Sequence, residues 1–245
     1  MLIKPSLCGL FVAAAIVSIG TAVPARAGVA FVPEATVEVG VLGDTSTTKV
    51  GLLNTSDPDV LSTSGQWDNA NWDFTWDMTV DLDPFINAVF GLTNNTGVTQ
   101  TFILNVTIPV APPVTPSSVM GGSVGGSVTD ANNDGVATVA NSGGLPLFDG
   151  LIDGSSALSI IGSPYAYSAP FAGGTANIPA TNVGLPGPTI PGPAALSTIG
   201  ISHVFTLTPG DTVSLTSFFI VEVPEPASMG LLACGMALVG LKRRH

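Results

Sequence analysis

Apolar and polar residues alternate with a period of two in several stretches, and this constrains the fold more than any other feature. Phe74, Trp76, Met78, Val80 and Leu82 are interleaved with Thr75, Asp77, Thr79 and Asp81. Such a run buries one face and wets the other only as a β-strand. Phe102, Leu104, Val106 and Ile108 repeat the pattern around Ile103, Asn105 and Thr107, until Pro109 and the Pro112-Pro113 pair stop it. Val213, Leu215, Ser217, Phe219 and Val221 form a third run after the turn-forming Pro209-Gly210-Asp211, itself preceded by Phe205 and Leu207. Thr36 to Val41 alternates weakly, and Phe85 to Leu92 is closed by Asn94-Asn95-Thr96-Gly97. No amphipathic helix of useful length interrupts these runs. The pattern predicts a mainly β fold, an antiparallel β-sandwich or jelly-roll-like body.

Two stretches break the rhythm. Residues 117–128 are rich in Gly and Ser with valines at intervals, which fits either a weakly packed strand or a flexible linker. Residues 162–195 are rich in Pro and Gly and carry no charge, so they are expected to form a long irregular loop.

The charge balance narrows the partners. Of six Lys and Arg residues, five (Lys4, Arg26, Lys242, Arg243 and Arg244) lie near the two ends. Between Gly28 and Val223 only Lys49 remains, against sixteen Asp and Glu, a net charge of −15. Such a body repels nucleic acid and anionic membrane surfaces, whereas cations and neutral polar polymers remain compatible with it. Both cysteines, Cys8 and Cys234, also lie in the end segments, so the body has no disulfide to depend on. It is long enough to bury a core without one.

The ends read as signals. Residues 1–27 have a positive Lys4, an apolar run from Leu7 to Ile19 and the small-x-small site Ala25-Arg26-Ala27, the three parts of a signal peptide cleaved after Ala27. Residues 223–245 open with Val223-Pro224-Glu225-Pro226. The prolines forbid a helix through that point. Ala227 to Leu241 then forms an uncharged run that spans roughly 22 Å as a helix, short of a full bilayer core. Lys242, Arg243 and Arg244 follow and favour the cytoplasmic side. A Pro-Glu-Pro motif, a short apolar run and a basic end, in that order, resemble the PEP-CTERM sorting signal of exopolysaccharide-producing bacteria. The resemblance implies a Gram-negative-type envelope and recognition by a membrane-embedded exosortase that cleaves near Pro-Glu-Pro. It implies nothing about the body, residues 28–222.

Inside the body, Asp130-Ala131-Asn132-Asn133-Asp134-Gly135 fits the opening half of a calcium-binding loop, with oxygens at Asp130, Asn132 and Asp134 and a glycine for the sharp turn. The expected bidentate acid is replaced by Asn141, and the flanks look like strands, so an EF-hand is excluded. Calcium and a plain turn stay open as readings, with Asp149 and Asp153 as candidate extra carboxylates. A second candidate is the segment Trp67 to Asp77, where all three tryptophans lie among acids and amides. Trp67 and Trp72 are candidate carbohydrate contacts, Trp67 being the one expected at the surface, while Trp76 shares the apolar face of its strand.

Catalysis has little to work with. His203 is the only histidine of the body, in a strand-like run, and Asp77, Asp81 and Asp83 read as a solvated acidic face. The sequence therefore points to a non-enzymatic structural or interaction protein, exported through the secretion machinery, held transiently in the inner membrane, and released to the cell surface or an exopolysaccharide matrix. A carbohydrate-binding module, calcium-stabilised or not, is the alternative, and a matrix-polymer hydrolase is a more remote one.

Overall fold

The computed structural model describes residues 33–55, 60–82 and 84–224. The signal-peptide features, including Ala25 and Ala27, and the C-terminal segment from Glu225 onward, with Pro226 and Lys242 to Arg244, lie outside the described residues. Strands come in chain order as β1 (Glu34–Val41), β2 (Asp44–Gly51), β3 (Leu53–Asn54), β4 (Val60–Asp68), β5 (Trp72–Asp81) and β6 (Phe85–Asn94). Next are β7 (Gln100–Pro109), β8 (Ser118–Thr129), β9 (Thr138–Asn141), β10 (Phe148–Ile152) and β11 (Ser155–Ile160). The chain continues with β12 (Ala166–Ser168), β13 (Thr175–Val183), β14 (Ile190–Gly192), β15 (Thr198–Leu207) and β16 (Thr212–Glu222).

These strands build two antiparallel sheets. The first runs β11-β10-β15-β7-β1-β2, with β9 also on β15 and β12 on β9. The second runs β13-β8-β16-β6-β5-β4-β3, with β14 also on β8. The alternation read from the sequence decides which residues face inward: Phe74, Met78 and Val80 of β5 and Phe102, Leu104, Val106 and Ile108 of β7 are fully or almost fully buried. One cluster of buried apolar residues draws on both sheets, as expected for two inner faces packed as a sandwich.

The two irregular stretches are more ordered than their composition suggests. The Gly/Ser-rich stretch is β8, flanked along its length by β16 on one side and by β13 and β14 on the other. Ladder hydrogen bonds come from the backbone, so a strand held on both sides does not need large side chains. Residues 162–195 carry β12, β13 and β14 in place of a single irregular loop. In β13, most of which is exposed, a register shift between Ile178 and Thr181 takes Pro179 out of the ladder at a sheet edge, where its missing N–H costs least.

Two glycines allow close approach in the core. A side chain at Gly126 would run into the Ser214 carbonyl of the adjacent strand. At Gly150, on β10, an added Cβ would stand 2.6 Å from Phe219 Cε2, so the ring from the opposite sheet lies directly on the β10 backbone. Phe219 also meets Phe148 edge-on, with centroids 6.3 Å apart.

At the same place sits the one buried histidine. His203, on β15, is 0% exposed and its ring lies edge-on to Phe90 and Phe148, each at 5.7 Å. Nδ1 is 2.7 Å from the Leu147 carbonyl, which can only accept, so Nδ1 carries the proton. Nε2 is therefore the acceptor for the Ser217 hydroxyl of β16 at 3.0 Å, a hydrogen bond from one sheet to the other. Burial drives the imidazole pKa down, partly opposed by the Leu147 carbonyl, from its ordinary 6.5 to about 4.

Three measurements follow from this core. In urea titrations, Gly150→Ala should lose about 1–3 kcal/mol through overpacking against Phe219, while Gly162→Ala, with open space around it, should stay near wild type. Ser217→Ala orphans the buried Nε2 and should cost about 1–3 kcal/mol. For pH, the sign follows from the depressed value: the unfolded chain takes up a proton below 6.5 that the folded chain refuses until about 4. Stability is thus intact above pH 6.5 and falls by about 3 kcal/mol in all between those values. Denaturation midpoints of wild type and His203→Leu, compared at pH 7.5, 6 and 5, should converge on acidification; a constant difference would refute this account.

Candidate functional site

Four connections meet at one end of the sandwich. The turn from β15 to β16 lies beside the connection from β6 to β7, because Asn94 receives hydrogen bonds and also donates across the gap. Its backbone N–H donates to the Asp211 carbonyl at 2.9 Å, and the Gly210 N–H donates to the Asn94 carbonyl at 2.7 Å. The Asn94 side chain, 0% exposed, donates to the carbonyls of Leu207 and Thr208 and accepts from Thr96. The β8–β9 connection, which holds the Asp130 to Gly135 segment, joins the same turn through Asn132 Nδ2, which donates to the Pro209 carbonyl at 2.9 Å. The β12–β13 connection is drawn in by the Gly173 N–H, which donates to Asp130 Oδ2 at 3.1 Å.

Within the Asp130 loop, Asn132 and Asp134 behave as turn residues. Asn132 Oδ1 accepts from the Asp134 N–H at 2.9 Å, and Asp134 Oδ1 accepts from the Val136 N–H at 2.9 Å. Asn132 Nδ2 also donates to Asp134 Oδ2 at 3.0 Å. Both side chains are exposed, and Asn133 adopts the left-handed φ of 63° that such residues tolerate. Asp130 differs. It is 1% exposed, under the thin cover of its own loop, and Oδ2 accepts from Gly135 and Gly173 N–H. Desolvation pulls its pKa up, but the amides of Gly135, Gly173, Asn133 and Asp134 outweigh it and hold the carboxyl below its ordinary value.

Asp211 was not singled out from the sequence, where it reads only as the end of a Pro-Gly-Asp turn. The structure buries it fully, and neither carboxylate oxygen makes a hydrogen bond. Burial raises its pKa, and the charges of Asp130 and Asp134 raise it further. The Thr208 hydroxyl and the Ala131 amide stand near enough to offset part of this, without hydrogen-bond geometry; Thr208 donates to the Thr138 carbonyl.

The other acidic candidates are engaged elsewhere. Asp149 Oδ1 accepts from the Ser156 and Ser159 hydroxyls at 2.7 and 3.0 Å. Asp153 and Gly154, both with positive φ, form the two-residue turn between β10 and β11. The Asp153 carboxylate accepts from the backbone of Leu196, Ser197 and Thr198 and from the Ser197 hydroxyl. Desolvation opposes these bonds, but together they lower its pKa to about 2. It therefore staples the start of β15 to the β10–β11 hairpin.

The tryptophans lie on β4 and β5 of the second sheet, and Trp72 pairs with Asn94 beside these loops. Trp72 is 2% exposed and Trp76 is 9% exposed, so both rings belong to the core. Trp67 is half-buried and meets Trp72 edge-on, with centroids 5.5 Å apart. Any sugar contact in this segment thus depends on Trp67 and its exposed neighbours Gln66, Asp68 and Asn69. His203 and Ser217 have the spacing of a base and a hydroxyl, but both are 0% exposed between the sheets, where no substrate reaches them. Asp77 is exposed and Asp81 half-buried on the outer face of β5.

The C-terminal boundary is directly attached to the fold. β16 ends at Glu222, Val223 is 49% exposed, and Pro224 is the last residue described there. Among the described residues no helix is long and apolar enough to cross a membrane. No curated protein matches the chain. A family model does match at residues 222–244, so the chain carries a PEP-CTERM protein-sorting motif, the mark of an extracellular protein that is exported, anchored briefly in the membrane and processed by an exosortase.

Proposed function

We propose that this chain is a non-enzymatic structural or interaction protein of the cell surface or exopolysaccharide matrix, delivered there by an exosortase-like membrane peptidase. The observation that carries this reading is the sorting motif that begins at Glu222, where β16, the last described strand of an all-β body, ends. Export begins at a signal peptide cleaved after Ala27 and uses the general secretion machinery. The apolar run and the basic Lys242 to Arg244 hold the precursor in the inner membrane until cleavage near Pro224-Glu225-Pro226 frees the sandwich. A body with one lysine and sixteen acids stays hydrated and repels other anionic surfaces, which suits a component dispersed among neutral polymers.

Carbohydrate binding is the second reading, favoured by one feature. Trp67 is the only tryptophan not sealed in the core, and it stands beside exposed hydrogen-bonding side chains. Its ring is held edge-on by Trp72, which limits the rotamer freedom lost on stacking against a sugar.

Sorting is tested in the producing cell. Glu225→Ala, or deletion of Lys242 to Arg244, should leave full-length precursor in the membrane fraction, where wild type yields a shorter released form. Normal release of both variants would refute exosortase processing. For the second reading, affinity electrophoresis through neutral polysaccharides should show retardation of wild type that Trp67→Ala loses. Equal mobility of the two proteins in every polysaccharide tested would remove it.

A further inference from the structure

The register of β8 against β16 brings two acids together that lie far apart in sequence. Thr129 pairs with Thr212, so the next rung outward holds Asp130 on one side and Asp211 on the other. Residues directly opposite in an antiparallel pair have Cβ atoms roughly 4.5–5.5 Å apart, and like charges at that position repel. Both residues are buried, at 1% and 0% exposure. Three of their four carboxylate oxygens, Asp130 Oδ1 and both oxygens of Asp211, are buried without a hydrogen-bond partner.

Nothing among the described residues neutralises them. Lys49 is the only Lys or Arg among the described residues, and it reaches Glu34 Oε2 at 3.7 Å on the β1–β2 pair of the other sheet. His203 is neutral and spent on Leu147 and Ser217. A buried carboxylate pair with no countercharge and three of its four oxygens unbonded is costly, and the cost is removed by a bound cation or by a proton. The surrounding donors do not close the gap: the loop amides that stabilise Asp130 all act on one oxygen or lie beside it, and Thr208 is turned toward Thr138.

We propose that Asp130 and Asp211 bind a calcium ion between the β8–β9 connection and the β15–β16 turn. The donor set is all oxygen, which selects a hard cation over zinc or copper. Among the described residues no three His, Cys, Asp or Glu side chains gather into a cage, so carbonyl oxygens and waters complete the shell. Calcium accepts such irregular shells of six to eight oxygens, whereas magnesium demands an octahedron and gives up its waters reluctantly. Two carboxylates place the site with weak extracellular calcium modules, with a dissociation constant on the order of 10⁻⁴ to 10⁻³ M. Asn132, which the motif alone would make a ligand, instead serves as the clamp that holds the loop on Pro209, and Asp134 braces it from outside. Because Asp130 is also bonded to Gly173, the ion fastens three of the four connections at this end of the sandwich.

The test uses the purified protein stripped with chelator and then given calcium chloride or magnesium chloride alone. Five millimolar calcium should raise the melting temperature by a few degrees, magnesium by clearly less, both at constant ionic strength. Equilibrium dialysis with radioactive calcium should find one saturable site per chain. Asp211→Asn and Asp130→Asn should abolish the calcium-specific rise, and Asp77→Asn, on the outer face of β5, should keep it. If either site variant fails to fold, dialysis on wild type still decides. Coincident melting curves in calcium and chelator with no saturable site would overturn the proposal. So would an equal response to magnesium, or an Asp211→Asn protein more stable than wild type that still binds calcium normally, since that result identifies a proton shared by the two acids.

Discussion

A neutral imidazole sealed between two sheets determines how those sheets face each other. Apolar inner faces slide over one another at little cost, because the hydrophobic effect has no direction. The bond from Ser217 to His203 has one. It exists only when β16 and β15 cross at a single relative position, and the 2.7 Å bond to Leu147 fixes the ring and its tautomer at the same time. Phe90, Phe148 and Phe219 then have defined surfaces to pack on, and Gly150 leaves the depth that Phe219 needs. A misplaced sheet would leave two buried polar groups unpaired, the Ser217 hydroxyl and His203 Nε2, and that penalty helps to give this core its register.

The second constraint is electrostatic. With one lysine in the described body, engaged with Glu34, the other described carboxylates have no Lys or Arg to pair with, and the fold uses hydrogen-bond donors instead. Glu38 takes the Thr45 hydroxyl and the Asn105 amide, Asp149 takes two serines, and Asp153 takes a full set of backbone N–H groups. Such donors stabilise an anion without introducing positive charge, so the surface stays uniformly acidic. Seen in this company, Asp211 is the exception, a buried acid whose two carboxylate oxygens make no hydrogen bond. The difference between Asp153 and Asp211 is the reason an external cation is the better account of the latter than imperfect packing.

Period-two alternation made β5, β6, β7 and β16 legible in the sequence, since each has one buried and one wetted face. It failed for β8 and β13 for opposite reasons. In β8, glycines stand where strands and loops approach too closely for side chains, so the apolar stripe of Met120, Val124 and Val128 is interrupted at every second inward position. In β13, an edge position leaves five of nine residues exposed and only Ile178 fully buried, so there is no period-two pattern to read. The candidate site was half legible: the spacing of Asp130, Asn132 and Asp134 marks the β8–β9 connection, one of the loops that meet there. The partner Asp211 comes from register alone, and no local motif records which residues two distant strands will bring opposite each other. Trp67 and Trp72 were equally ambiguous, because the strand period places Trp72 inward and only the β4–β5 pairing shows that Trp67 leans on it.

The placement of the sorting motif follows from the same ladder. β16 is paired on both sides, with β6 from Thr212 to Ile220 and with β8 as far as Glu222. The strand is therefore held between two neighbours as far as Ile220 and by β8 as far as Glu222, and a peptidase acting there would have to strip it from them. From Val223 onward the chain leaves the ladder, and Pro224 cannot donate to it in any case. Cleavage on the far side of that proline removes no ladder hydrogen bond and no core residue, so the sandwich loses nothing when the membrane segment is taken away. The ladder ends at Glu222, where the motif begins, so a cut beyond Pro224 leaves every described strand in place, as a removable anchor requires.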